Sequence, residues 1–82
     1  MRRVKRDGFV RNVVVALGNS RRREAVPALR AALQDESPLV RSHAAWALGQ
    51  IRDREAMNLL ESARRLETVA AVLEEIRLAL ES

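Results

Sequence analysis

The sequence contains no cysteine and no tyrosine, one phenylalanine and one tryptophan, and only three glycines and two prolines in 82 residues. Without cysteine there can be no disulfide scaffold, no thiolate-held metal cluster and no cysteine nucleophile. So few aromatic side chains argue against an RNA-binding sheet that stacks bases. No run without charge is long enough to span a membrane, residues 12–20 included, and no signal peptide is visible. We therefore expect one small helical domain, soluble and cytoplasmic.

Positive charge is concentrated at the N-terminal end. The chain carries a net charge of +4, but residues 1–30 hold nine basic and two acidic residues (9 − 2 = +7), whereas residues 61–82 hold three and five (3 − 5 = −2). This asymmetry indicates an anionic partner near the N-terminus, and a solvated arginine-rich tail is the alternative. The candidate RNA-binding residues are these nine: Arg2, Arg3, Lys5, Arg6, Arg11, Arg21, Arg22, Arg23 and Arg30.

An internal repeat becomes visible when the sequence is displaced by 31 residues. Residues 16–18, Ala-Leu-Gly, then fall on residues 47–49, and residues 23–25, Arg-Glu-Ala, fall on residues 54–56. A weaker third copy follows with one extra residue, so that residues 79–80 match residues 47–48. The chain is therefore predicted to hold repeat 1 (about 7–36), repeat 2 (about 37–67) and a partial third repeat (68–82) in one domain.

Each repeat has the pattern of two helices. Phe9, Val13, Ala16 and Leu17 recur at helical spacing. Gly18 is expected to end the first helix in the left-handed conformation, and Gly49 is expected at the end of the third helix. The second helix is predicted over residues 22–34. The third, fourth and fifth helices are expected to begin at caps, which are Ser37 before Pro38, then Asp53, then Thr68.

This pattern predicts an all-α fold, a short HEAT-like α-solenoid of about five helices, made of two helical hairpins and a fifth helix. The fifth helix has lost its partner, so part of its apolar face is expected to be open at the C-terminal side. Self-association through this helix, or docking onto another protein, follows as a hypothesis. The apolar residues of that face are Val69, Val72, Leu73, Ile76 and Leu80.

No constellation for catalysis or metal binding is present in the sequence. His43, the only histidine, has no carboxylate, serine or second histidine at triad or metal spacing, and we interpret it as packed beside Trp46. Trp46 itself is expected in the core. Glu74 and Glu75 are adjacent on a helix and point about 100° apart, so they cannot share a substrate. The sequence thus predicts a chain that is not an enzyme and has no cofactor and no metal.

The arginines are more informative. Arg41 is expected to form a structural ion pair with Asp35 across the turn between two helices. Residues 21–23, three arginines, crowd the first turn of the predicted second helix, where cations are unfavourable unless an anion such as a phosphate is bound. A polar and mostly basic ridge is predicted along Arg23, Pro27, Arg30 and Gln34 and their counterparts Arg54, Asn58, Glu61 and Arg65.

Residues 9–20 (Phe-Val-Arg-Asn-Val-Val-Val-Ala-Leu-Gly-Asn-Ser) resemble the C-terminal HEAT-like region of epoxyqueuosine reductases, and residues 25–29 and 38–49 continue the resemblance. It covers about residues 5–51. The resemblance implies an accessory helical module that holds tRNA or braces a catalytic domain. That family reduces an epoxide on the wobble base of a tRNA anticodon with a cobalamin and two four-iron clusters, and the cobalamin domain and cluster cysteines lie upstream of the helical region.

One departure from that family lies at residues 21–23, where the family carries small or acidic residues instead of arginines. The sequence leaves open a truncated reductase, an excised domain or a separate small protein. It also leaves two functions open. One is a module that binds tRNA or other structured RNA, beside a catalytic iron–sulfur/cobalamin domain. The other is a HEAT-like scaffold for proteins, whose basic end meets an acidic protein surface.

Overall fold

The computed structural model describes residues 3–81, with side chains from residue 4 onward. Arg2 and the side chain of Arg3, two of the candidate RNA-binding groups, lie outside the described residues. Within residues 3–81 the chain forms five α-helices and no strand, as the sequence predicts. The helices are α1 (Arg3–Ser20), α2 (Val26–Ala32), α3 (Pro38–Ile51), α4 (Arg54–Leu66) and α5 (Ala70–Glu81), and a single 3-10 turn (Arg23–Ala25) precedes α2.

The helices form two layers. Helices α1, α3 and α5 lie side by side with α3 in the middle, and α2 and α4 cover one side of this row. Each hairpin is antiparallel, because the turn after its second helix returns to the start of its first helix: Arg6 contacts Asp35 in one hairpin, and Arg41 contacts Glu67 in the other. The core lies between the two layers. Its largest side chains, each fully buried, are Leu29, Leu48, Leu60, Ile76, Val26, Val40 and Val72.

The predicted starts of α3 and α4 are confirmed, and that of α5 differs. The Ser37 hydroxyl accepts a hydrogen bond from the Val40 amide at 3.4 Å, and the Asp53 carboxylate accepts one from the Ala56 amide at 2.8 Å. At α5 the predicted cap, Thr68, is exposed. The carboxylate of Glu67 accepts from the amides of residues 68 and 69, which precede α5, at 3.2 and 3.0 Å.

The prediction that Gly18 ends α1 in the left-handed conformation is wrong. Neither Gly18 nor Gly49 has a positive φ; the left-handed residues are Arg21 (φ 55°) and Arg52 (φ 56°), three positions later. The glycines instead allow two helices to approach. A Cβ atom on Gly18 would lie 2.8 Å from the Cβ and 2.9 Å from the Cα of Ala47, and one on Gly49 would lie 2.8 Å from the Cβ of Ala79.

The buried face of α1 is narrower than predicted. Val14 is 3% exposed, and Val10 and Leu17 pack against the core, but Phe9 is 63% and Val13 is 45% exposed. The predicted stripe was wrong at these two positions because the apolar residues of α1 extend further around the helix than the neighbouring helices of the described chain cover.

A further helix prediction needs correction. The second helix is shorter than the predicted residues 22–34. A 3-10 turn precedes it, and the α-helical hydrogen bonding ends after Ala32, where the amides of residues 34 and 35 donate to carbonyls three residues earlier. The apolar face of α5 is open only in part, since Val69, Leu73 and Leu80 are half-buried. Val72 and Ile76 are fully buried against the rest of the core, and among its large apolar side chains Leu78 stays 45% exposed.

Candidate nucleic-acid interface

The turns that follow α1 and α3 lie at the same edge of the solenoid. They are equivalent in the repeat, since Arg21 and Arg52 are 31 residues apart and both adopt the left-handed conformation. The Arg21 guanidinium donates to the Gln50 side chain at 3.2 Å, which ties the first turn to the end of α3. We call the exposed arginines of these two turns the turn-edge arginines; they are Arg21, Arg22, Arg23, Arg52 and Arg54.

The turn-edge arginines are largely uncompensated. Within the described part of the chain, none of the five forms an ion pair with a carboxylate. Arg52 donates to the Ala79 carbonyl at 2.8 Å, which covers the end of α5. Residues 21–24 hold three arginines and one glutamate (+2), whereas residues 52–55 hold two basic and two acidic residues (0). The positive charge is therefore centred on the first turn.

The structure does not bring the nine candidate residues into one patch. Lys5 is exposed at the start of α1, and the 16 positions to Arg21 correspond to about 24 Å along a helix. Arg11 is half-buried and donates to the Asn12 side chain at 3.2 Å. Arg30 is exposed at the far end of α2 and lines a groove with acidic residues of the two inter-repeat turns, among them Glu36.

Arg6 is held within the protein. Its guanidinium donates to both carboxylate oxygens of Asp35, at 2.5 and 3.1 Å, and to Asp7 at 2.9 Å. These hydrogen bonds raise the pKa of Arg6, and the one from Arg6 is the main reason that the pKa of Asp35 is lowered. Since two carboxylates neutralise Arg6, it contributes little to an anion-binding surface.

Arg41 has the structural role predicted for it but a different partner. It donates to the two carboxylate oxygens of Glu67 at 2.9 and 3.1 Å, and to the backbone carbonyls of Asp35 and Glu36 at 2.8 and 3.1 Å. Burial raises the pKa of Glu67, but the hydrogen bonds from Arg41 and two amides outweigh it, and the pKa stays below its ordinary value. Arg6–Asp35 and Arg41–Glu67 thus both link a helix of the central row to the following inter-repeat turn, although the two arginines do not occupy the same position of the 31-residue repeat.

The ridge predicted on the second layer is present as an exposed surface. Its members on α2 and α4 are exposed, except Glu61, which is half-buried and pairs with Arg64 at 3.4 Å. Arg52 and Arg54 are not among the nine residues predicted from the sequence, although the displacement by 31 residues maps Arg21 and Arg23 onto them. That mapping was the signal for including them.

The contacts of His43 and Trp46 indicate structural roles for both side chains. The Nδ1 atom of His43 lies 2.9 Å from the Leu39 carbonyl oxygen, one turn earlier in the same helix. Trp46 is partly buried and packs against the core, in agreement with the prediction, and it lines a shallow groove of about 290 Å³ with His43. In the described part of the chain no three His, Asp or Glu side chains gather as metal ligands. None of the described helices is long and apolar enough to cross a membrane.

Stacked antiparallel helix pairs with a repeated central row and a repeated turn edge define this protein as a short α-solenoid. The HEAT repeat family matches residues 9–81, nearly the whole sequence. The chain belongs to the HEAT repeat family.

Individual relatives fall into more than one class. An epoxyqueuosine reductase of Alicycliphilus denitrificans is 50% identical over 58 residues, covering 61% of this chain and 16% of the relative. The epoxyqueuosine reductase of Staphylococcus aureus is 40% identical over 53 residues, covering 63% and 14%. Deoxyhypusine hydroxylase-B of Oryza sativa is 42% identical over 67 residues, covering 79% and 22%. No solved structure matches the chain significantly.

These comparisons support a HEAT-like module related to a region of the epoxyqueuosine reductases. The chain spans about one-sixth of the length of those reductases. The match to deoxyhypusine hydroxylase-B, which is not a reductase by name, shows that the helical repeat occurs in proteins with different names and activities.

Proposed function

We propose that this chain is a non-catalytic helical module that binds structured RNA, such as a tRNA arm, through the turn-edge arginines. The observation that carries this proposal is the first turn, where three consecutive exposed arginines have no carboxylate partner among the described residues. Two relatives are epoxyqueuosine reductases, whose resemblance implies a tRNA substrate. An RNA partner of this kind places the module in the cytoplasm.

Binding would rest on phosphate contacts. Arginine guanidinium groups pair well with phosphate oxygens, and each neutralised phosphate releases counterions. The backbone of Arg21 adopts the left-handed conformation and its side chain contacts Gln50, which connects the first turn to the end of α3. One half-buried Trp and one Phe offer little surface for stacking unpaired bases. The module therefore contributes binding affinity for RNA, and it does not itself select the RNA sequence.

The test is the salt dependence of tRNA binding, followed by fluorescence anisotropy. Replacing Arg21, Arg22 and Arg23 with glutamine should reduce the slope of log affinity against log salt by up to about three units. A matched control replaces Arg64, Arg65 and Arg77, which removes the same charge elsewhere and should change the slope much less. Equal losses in both variants would contradict a localised site, and no binding at about 50 mM salt would contradict RNA binding altogether.

A protein-binding scaffold is the second candidate function. One observation favours it, namely the exposed apolar side of α1, where Phe9 is 63% exposed. The relatedness to a hydroxylase that is not a reductase is consistent with such a general role. If tRNA binding fails in the experiment above, this function takes its place.

A further inference from the structure

The outer side of α1 has the character of a helix-packing face. Phe9 and Val13 are 63% and 45% exposed, and Ala16 is exposed beside them. The three residues are spaced so that they form one stripe on the helix. The residues 31 positions later in the repeat, each fully buried, are Val40, Ala44 and Ala47. In the second repeat Ala47 of this stripe lies at the contact between α3 and the preceding helix, α1, beside Gly18.

The repeat also shows what lies opposite this stripe. At the contact of α1 with α3, Gly18 lies over Ala47; at the contact of α3 with α5, Gly49 lies over Ala79. The same glycine-on-alanine contact therefore forms both junctions of the central row. Ala16 precedes Ala47 by 31 residues and holds the alanine position on α1. A helix seated there in the same way would present a glycine to Ala16.

A second copy of this chain does not supply that glycine. The spacing of 32 residues between Ala47 and Ala79 places Glu81 at the position on α5 that corresponds to Gly49. Glu81 is exposed and pairs with Arg77, which also pairs with Glu74 at 2.5 Å, so the outer side of α5 is polar and bulky. Head-to-tail stacking of copies would place a glutamate on Ala16. A twofold contact between two α1 helices would bring together two N-terminal regions of net charge +7.

We propose that Phe9, Val13 and Ala16 form a docking face for a helix of a partner protein that carries a glycine opposite Ala16. The partner helix lies parallel to α1 and stacks on it as α1 stacks on α3. The partner helix resembles the helices of the central row (α1, α3 and α5) in its contact face, which has apolar side chains on either side of one glycine. This interaction is independent of RNA binding because the two surfaces differ. The turn-edge arginines lie in the turns that follow α1 and α3, whereas the stripe lies along the outer side of α1.

The test uses the full chain, labelled with ¹⁵N, and a synthetic helix as the partner. The probe is a hydrocarbon-stapled peptide of residues 38–52, which presents the face that α3 offers to α5, with the staple on the opposite side. We expect saturable shifts of the amides of residues 9–16 at millimolar peptide. The matched peptide with Gly49→Leu should bind at least tenfold more weakly, because the leucine meets the alanine on α1.

Protein variants complete the experiment. Ala16→Leu should weaken binding at least tenfold without loss of helicity, since the position is exposed and leucine favours helices. Leu66→Gln, at an 81% exposed apolar residue on α4, is the control and should leave binding unchanged. The proposal would be overturned if the peptide caused no shifts, or if the shifts were unchanged by both Gly49→Leu in the peptide and Ala16→Leu in the protein. Dimerisation in sedimentation runs that Val13→Lys abolishes would overturn it too, by showing a second copy on this face.

Discussion

Replacing Gly18 with alanine tests the glycine contacts that join the helices of the central row. A Cβ at position 18 would lie 2.6 Å from an atom of the Trp46 ring, 2.8 Å from the Ala47 Cβ and 2.9 Å from the Ala47 Cα. Ordinary contacts begin at about 3.4 Å. The Trp46 ring can turn aside, but the Ala47 backbone cannot move without moving α3. Helices α1 and α3 must therefore separate by several tenths of an ångström.

The expected magnitude is the balance of two effects. Alanine is favoured over glycine within a helix by about 1 kcal/mol, which stabilises the variant. Overpacking of a close contact costs about 1–3 kcal/mol. We expect Gly18→Ala to lower the free energy of unfolding by about 1–2 kcal/mol, because the clash involves backbone atoms. Gly8 is the matched control on the same helix, since nothing lies within 4 Å of an added Cβ there. Gly8→Ala should raise the stability by about 0.5–1 kcal/mol.

The assay is urea unfolding followed by circular dichroism at the helical band, with thermal melts beside it. In a domain of this size 1 kcal/mol corresponds to a Tm change of about 4–8 °C, so the two variants should move in opposite directions and be well separated. If Gly18→Ala stabilises the protein as Gly8→Ala does, the close approach of α1 and α3 is refuted.

Three further predictions concern the core, the ion pairs and the caps. Leu48→Ala, at a fully buried site, should cost about 2–5 kcal/mol in urea unfolding, whereas Leu66→Ala, 81% exposed, should stay within about 0.5 kcal/mol. Because the folded pKa of Asp35 is lowered, its contribution is complete above the unfolded value of about 3.9 and is lost as the pH falls through the folded value. As the pH falls below about 4, urea midpoints should therefore decline less steeply in Asp35→Asn than in the unsubstituted protein. Asp53→Ala should lower the unfolding free energy by about 0.5–2 kcal/mol through loss of its cap; no change would contradict the capping contact.

Local signals in the sequence predicted the helices well. Ser37 and Asp53 cap helices where expected, because capping depends on neighbouring residues alone. The glycines were misread for the opposite reason. A helix stop and a close helix contact both favour glycine, and only the position of Ala47 over Gly18 distinguishes them. Phe9 was misplaced because a periodic pattern does not show which apolar side of a helix has a neighbour.

The candidate site was predicted in composition but not in arrangement. Counting charge located the basic N-terminal third of the chain. It could not show that Arg6 is neutralised by Asp35, 29 residues away, since that pair depends on the hairpin returning to the start of α1. For the same reason Asp35 was assigned to Arg41, which instead reaches Glu67. The 31-residue repeat does place Arg21 and Arg52 at equivalent positions. The edge formed by the two turns could therefore have been predicted from the sequence.

Mapping tRNA contacts residue by residue tests the proposed role of the turn edge most directly. In ¹⁵N spectra of the full chain, which include the arginine side-chain Nε–Hε signals, tRNA should first shift the signals of residues 20–23 and of Arg52 and Arg54. The signals of Arg6 and Arg41 should stay in place, because carboxylates already hold these side chains. Shifts centred on α5, or spread evenly over all exposed arginines, would contradict a localised RNA-binding edge.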